Sequence, residues 1–269
     1  MHVTGPLCTR RSLAAELRAA GVEPGGTLLV HSSLSSLGWV SGGAVAVVQA
    51  LLDVLGPTGT LAVPTHTGDN SDPAEWSNPP VPPEWWPDIR ASWPGFDPRV
   101  SPSLGMGAVP ETARTWPGAL RSTHPQTSFA ALGPGAVEIT DGHALDCRLG
   151  EASPLARLED RDAHVLLLGV DFGSCTCFHL AEYRVPGPSE ECAFAAVTPE
   201  GRQRLTVEDR TIDAGDFTEL GAAFEAERPE AVRHGTVGAA ATRLFRLRDA
   251  VAYAQRWLPE HRPQGLPRT

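Results

Sequence analysis

Three short stretches of the chain carry residue types and spacings that can do chemistry. In Cys175-Thr176-Cys177-Phe178-His179-Leu180-Ala181-Glu182, the spacing predicts a helix with Cys175, His179 and Glu182 on one face, at offsets of four and three. A carboxylate one turn from an imidazole fixes its tautomer, which suits a general base near neutral pH. The plain alternative is a surface histidine beside a glutamate. A metal site would need a third ligand that His-x-x-Glu does not supply. A Cys175–His179 thiolate pair is set aside, because a buried free cysteine usually behaves as a small apolar residue.

The second stretch is His31-Ser32-Ser33-Leu34-Ser35-Ser36-Leu37-Gly38, with Gly42-Gly43 opening the next helical run. Its hydroxyls, backbone N–H groups and helix dipole suit a phosphate or pyrophosphate. The glycine spacing is wrong for a Walker A loop, and its lysine is missing; by itself such a loop is equally a turn. The third stretch is Arg121-Ser122-Thr123-His124-Pro125-Gln126-Thr127-Ser128. Pro125 biases His124 toward extended backbone, which puts its ring at a strand entrance. An ordered loop histidine satisfied by neighbouring hydroxyls is the structural alternative.

The elements around these stretches predict an α/β fold. Residues 12–20 have helical apolar spacing and stop at Gly21. Residues 27–30 form a buried strand ending at His31, residues 44–55 a helix, and residues 60–64 the next strand, which is a right-handed βαβ unit. Further strands are expected over 127–132, 165–170 and, as part of a hairpin, 202–207. Helices are expected over 105–114, 175–183 (capped by Ser174), 217–227, 239–244 and 247–257. Residues 73–102 hold nine of the 25 prolines and four of the seven tryptophans: Trp76, Trp85, Trp86 and Trp93. Proline this dense argues against helix and inner strand, so the stretch is an ordered loop, either a lid or pocket wall or a packing flap. Functional side chains in α/β folds gather outside strand ends, which ranks His31, His124 and His179 first. His66 is intermediate, while His2, His143, His164, His234 and His261 are expected in solvent. Without internal repeat or linker, residues 1–269 form one domain: a mixed sheet, flanking helices and the long Pro/Trp-rich loop.

Charge narrows the partners. The 269 residues carry 22 Lys+Arg against 32 Asp+Glu, a net charge of −10. Such a surface disfavours nucleic acid and anionic membrane and favours a small cationic substrate. All the cationic side chains are arginine, so lysine Schiff-base and P-loop chemistry are excluded. Five unevenly spaced cysteines form neither a disulfide ladder nor a paired zinc motif. No apolar run reaches the ~18–20 residues of a membrane span. Met1-His2-Val3-Thr4-Gly5-Pro6 lacks the layout of a signal peptide, so a cytoplasmic location is expected.

The ordered set of motifs resembles the aminoglycoside 3-N-acetyltransferases of the antibiotic N-acetyltransferase family over nearly the whole length. The resemblance rests on Leu28-Leu29-Val30-His31-Ser32-Ser33-Leu34 with Gly42-Gly43, and on Gly56-Pro57-Thr58-Gly59-Thr60-Leu61. It continues through Asp72-Pro73-Ala74-Glu75-Trp76, Pro79-Pro80-Val81-Pro82, Arg121-Ser122-Thr123-His124-Pro125 and Ser128-Phe129-Ala130-Ala131. It closes with His179-Leu180-Ala181-Glu182, Gly235-Thr236-Val237-Gly238 and Arg243-Leu244-Phe245. The Cys-Thr-Cys before His179 departs from the threonine-rich segment of the family.

The resemblance implies acetyl-CoA as co-substrate, no metal, and an aminoglycoside as acceptor, with CoA and the cationic antibiotic as the partners of a monomer or homodimer. It implies His179 as the base with Glu182 beside it, and His31 and His124 in the active-site region. Ser32, Ser33, Leu34, Ser35, Ser36, Arg121, Ser122 and Ser128 are expected to line the CoA region. Trp76, Asp213, Asp216 and Glu219 are expected on the cationic sugar. Two alternatives stay open: an N-acyltransferase of another amine, and a metal-dependent amidohydrolase using His31, His124, His179 and Glu182 as ligands.

Overall fold

The computed structural model describes residues 5–262, so His2 and the first four residues of the expected non-signal segment lie outside it. β1 (Leu7–Cys8) precedes α1 (Arg10–Ala19). Thr9 sets the start of α1: its hydroxyl accepts from the Ser12 N–H while the Ser12 hydroxyl accepts from the Thr9 N–H. β2 (Thr27–Ser32), β3 (Trp39–Val40), α2 (Gly43–Leu55) and β4 (Thr60–Pro64) follow, and β2 pairs with β4 in parallel as the βαβ pattern requires. Then come α3 (Trp86–Ser92), α4 (Ala108–Arg114), β5 (Leu120–Arg121), β6 (Phe129–Leu132), α5 (Ala136–Thr140), α6 (Pro154–Asp160), β7 (His164–Leu168) and α7 (Phe178–Arg184). The described residues close with β8 (Ser189–Thr198), β9 (Gly201–Arg210), α8 (Phe217–Glu227), β10 (Arg233–Val237), β11 (Ala240–Arg246) and α9 (Leu247–His261).

Seven strands form one mixed sheet in the order β10-β11-β7-β2-β4-β6-β5. Its centre, β7-β2-β4, is parallel, and the strands outside it pair antiparallel. The central strands are near-continuous apolar runs because helices cover both faces. Side-chain alternation assigns each residue to a layer. Leu28, Val30, Leu61, Val63, Leu166 and Leu168 pack with α1, α2 and α4. Leu29, Ala62, Phe129, Val165 and Leu167 pack with α5 to α9. β8 and β9 form a separate two-stranded hairpin. Among the described residues, no helix is long and apolar enough to cross a membrane.

Four expectations are corrected. The Pro/Trp-rich stretch contains α3, because Pro87 sits in the first turn, where no N–H partner is needed. Residues 239–244 are not helical: Ala239 lies in a turn and 240–244 belong to β11, whose alternating burial fits an inner strand between β7 and β10. Gly238 closes the turn into it at φ +59°; a Cβ there would meet the Leu37 carbonyl at 2.3 Å. Ser174 does not cap the helix of His179. Asp171 caps a single turn of 3-10 helix instead, and α7 starts at Phe178. Cys175 therefore leaves the face of His179; it is fully buried, with its sulfur 3.3 Å from that of Cys177. The hairpin strand expected over 202–207 is present, running from Gly201 to Arg210 with β8 as its partner.

The long loop is fastened to that hairpin. Asp72 holds Arg90 through two hydrogen bonds of 2.7 and 3.0 Å and also accepts from Arg204 of β9. Trp76 packs edge-on against Trp93 at 5.1 Å. Buried Asn70 pairs with both backbone groups of Ala195 in β8, at 2.8 and 2.9 Å. Removing it takes away the partner of the buried Ala195 N–H, while the Ala195 carbonyl keeps the Phe96 N–H, so Asn70→Ala is expected to cost about 1–3 kcal/mol. Urea unfolding of the two proteins measures the difference.

Candidate active site

The three parallel strands end on one edge of the sheet, where α/β folds place their sites. The period of two makes that edge two-sided. His31 continues the Leu29 row toward α7, whereas Ser32 continues the Val30 row toward α2 and α4. His66, two residues past β4, is in phase with Ala62 on the α7 side. Each wall of the site thus starts at a strand end.

On the α7 side, His179 is 8% exposed and Glu182 4%. The i,i+3 spacing lets His179 Nδ1 donate to Glu182 Oε2 at 2.5 Å. With Nδ1 protonated, the neutral ring presents the Nε2 lone pair. The other carboxylate oxygen, Oε1, accepts from the Asp213 N–H at 3.0 Å and from Arg262. Phe217 walls the imidazole at 4.6 Å. His31 is buried, with Nε2 3.3 Å from Thr176 Oγ1, and burial pushes its pKa down to about 4. The enclosed Nε2 of His66 has no hydrogen-bond partner. Burial, the largest cause, pushes its pKa down to about 3. These are neutral rings in a space that strongly disfavours added positive charge.

On the other side lies a groove of about 540 Å³ lined by Ser32, Ser33, Leu34, Ser35, Trp39, Met106 and the first residue of α2, Gly43. Gly42 at φ +88° turns the chain into α2, whose first turn carries no acidic residue. Its N–H groups and dipole favour an anion. The Ser32 hydroxyl is enclosed and lacks a partner, so the groove offers a donor to an elongated, phosphate-bearing molecule. Ser36 faces elsewhere: its hydroxyl donates to the Gly169 carbonyl at 3.0 Å and ties the turn to the end of β7. A separate depression of about 490 Å³ beside Arg10, Arg18 and Asp53 lies at the far end of α2.

A profile described as aminoglycoside 3-N-acetyltransferase matches residues 29–259. The chain belongs to that family. The SPbeta prophage-derived aminoglycoside N(3')-acetyltransferase-like protein YokD of Bacillus subtilis is 47% identical over 252 residues, 93% of this chain and 92% of its own. Its crystal structure superposes with a TM-score of 0.94 at 43% identity, over 98% of this chain and 97% of that one. Aminoglycoside N(3)-acetyltransferase VIII of Streptomyces fradiae is 37% identical over 276 residues, covering 94% and 92% of the two chains. The structure of AAC-IIIb in binary complex with CoASH superposes at a TM-score of 0.83 and 32% identity, over 97% of this chain and 100% of that one. Membership makes the chain an acyltransferase with the mixed α/β fold of its relatives.

Within this member of the aminoglycoside 3-N-acetyltransferase family, several expected site residues serve the scaffold. Both nitrogens of His124 are committed: Nδ1 accepts from the Gln126 and Thr127 N–H groups, and Nε2 faces the Leu145 carbonyl at 3.2 Å. His143, expected in solvent, is buried between the Ser122 hydroxyl and the Arg148 carbonyl, its ring 4.8 Å from that of His124. Arg121 spends its donors on Thr65, Ser128 and the Ser101 carbonyl, so Arg121, Ser122 and Ser128 brace the edge rather than line the groove. Asp216 is buried and gripped by Arg262, whereas Asp213 and Glu219 are exposed and Trp76 is half-buried. The metal-hydrolase alternative needs three converging ligands. Among the described residues, no group of three His, Cys, Asp or Glu is placed to provide them.

His66 was ranked as intermediate from the sequence, and Arg262 is the residue that spacing alone missed. His66 had one usable signal, its place two residues after a strand end. Arg262 lies 80 positions from Glu182 and gives no local signal.

Burial pushes His31 to about 4 and His66, His124 and His143 to about 3, against an ordinary value near 6.5. Between those limits the unfolded chain binds more protons than the folded one. Stability is therefore complete above pH 6.5 and falls as the pH drops toward 4, by roughly 1.4 kcal/mol per pH unit per histidine. Urea midpoints measured at pH 7.5 and 5 are expected to show a clear fall; equal midpoints contradict it.

Proposed function

We propose that the protein transfers an acetyl group from acetyl-CoA to the 3-amino group of the 2-deoxystreptamine ring of aminoglycosides, and that this confers resistance. The observation that carries the reading is the arrangement of the sheet edge. An oriented His179–Glu182 pair lies on one side, and a serine-lined groove at a helix N-terminus on the other, in a chain of this family. The groove suits the pantetheine and pyrophosphate of CoA. Ser32, Ser33, Leu34 and Ser35 contribute hydroxyls and N–H groups to it.

His179 is the general base. Glu182 holds Nδ1 protonated, so Nε2 takes the proton from the attacking amine as its nitrogen adds to the thioester carbonyl. The C–S bond then breaks, the thiolate leaves, and the proton returns to it. Transfer is direct, with both substrates bound together. The Leu34 and Ser35 N–H groups serve the carbonyl oxygen as charge develops on it, since those of Ser33 and Ser36 already donate to the Leu168 and Ser33 carbonyls. His31 and His66 stay neutral and leave the added positive charge to the incoming substrate. The net charge of −10 attracts a polycation, and exposed Asp213 and Glu219 are available to its ammonium groups. Asp216, already paired, acts through Arg262. The Trp76 region of the long loop forms the wall against the sugar rings.

Incubation with acetyl-CoA and kanamycin, gentamicin or apramycin, beside small monoamines, tests the substrate. The expected result is one added acetyl group on an aminoglycoside by mass spectrometry, with NMR placing it on N3. Acetylation of the monoamines alone would move the chain to the non-aminoglycoside alternative. Folded His179→Ala is expected to lose at least about 100-fold in kcat, with steady-state thiol release as the measurement. Near-normal turnover would remove His179 from the base role.

A further inference from the structure

We infer that Arg262, just beyond the last turn of α9, is a positioning residue for the transfer, gripping from behind the carboxylate that orients His179. The inference rests on the reading of His179 as the base.

Glu182 divides its two oxygens between two tasks. Oε2 receives the His179 Nδ1–H, while Oε1 receives Arg262 and the Asp213 N–H. The guanidinium does more than cap one oxygen. Its Nε donates to Asp216 Oδ2 at 2.7 Å, and NH2 donates to Asp216 Oδ1 and to the Asp213 carbonyl at 2.5 Å. One planar fork thus joins α7, the turn before α8, and the end of α9. The carboxylates of Glu182 and Asp216 are each 4% exposed. Two buried like charges would repel and swing apart without a cation between them.

The same guanidinium lies 5.9 Å from the centroid of Phe217, and Phe217 packs against His179 at 4.6 Å. Arg262 therefore touches both the carboxylate that fixes the tautomer of the imidazole and the ring that walls it. A second rotamer of Glu182 would have to break the Arg262 and Asp213 contacts first. The imidazole gains its direction from the closing residue of the last helix, far away in sequence.

The test uses the full-length chain. Arg262→Met is expected to lower kcat by about 10- to 100-fold with KM for acetyl-CoA within about twofold. The downfield proton resonance of the His179–Glu182 hydrogen bond, assigned by its loss in His179→Ala, should broaden or move. A folded Met variant with wild-type kcat, or one whose kcat falls with that resonance unchanged, overturns the proposal. Should the Met variant not fold, Arg262→Lys decides the matter. A single ammonium cannot reach both carboxylates and the Asp213 carbonyl together, so an intermediate kcat and a shifted resonance are expected. Wild-type values for both refute the fork. If His179→Ala keeps its activity, the base reading fails, yet the resonance of the Arg262 variants still reports whether the clamp holds the ring.

Discussion

A carboxylate removed from water has to be surrounded by donors, and much of this site follows from how Glu182 meets that requirement. Its donors come from three places: the imidazole one turn earlier in α7, the backbone of Asp213, and the guanidinium of Arg262. The burial that makes the charge costly also makes each of these contacts strong and directional. Asp216 is drawn into the same arrangement, because the cation that serves Glu182 must itself be balanced where it lies. The result is a rigid back wall, with Phe217 as its apolar face.

The sheet supplies the other half of the geometry. One strand, β2, ends in adjacent residues that point to opposite layers. It therefore delivers a histidine toward the α7 wall and a serine toward the groove beside α2. In the proposed reaction, a donor in the groove and an amine at the wall would meet at the strand ends. Around this junction, His31 and His66 are kept neutral by desolvation, while Arg121, Ser122, Ser128, His124 and His143 form a buried polar brace with its hydrogen bonds supplied from within. The brace holds the edge; the pair at His179 and the groove remain open to chemistry.

The long loop shows why composition misleads when position is ignored. Its prolines argued against helix, yet a proline in a first turn removes an N–H that has no partner there anyway, and α3 forms. The loop is ordered because Asn70, Asp72 and Arg202 tie it to the β8–β9 hairpin. β11 is a similar case. Ala240 to Arg246 alternates in burial, but its alanines suited a helix until β7 and β10 supplied partners on both sides.

By itself the sequence determined what depends on near neighbours. Apolar runs bounded by glycine located β2, α2, β4 and β7, and the three-residue step from His179 to Glu182 made their contact a property of any helix built there. The serine-rich turn before Gly42-Gly43 likewise announced a helix N-terminus open to an anion. Only the tertiary structure decided which histidines would face the chemistry. His31 lies in β2 with Nε2 near the Thr176 hydroxyl, whereas His124 lies in a loop where the near Gln126 and Thr127 N–H groups fill Nδ1 and the Leu145 carbonyl, 21 positions away, faces Nε2. The tertiary structure also brought Arg262 to Glu182 across 80 positions. Such contacts follow from the packing of layers, and no local pattern of residues encodes which remote side chain will satisfy a buried charge.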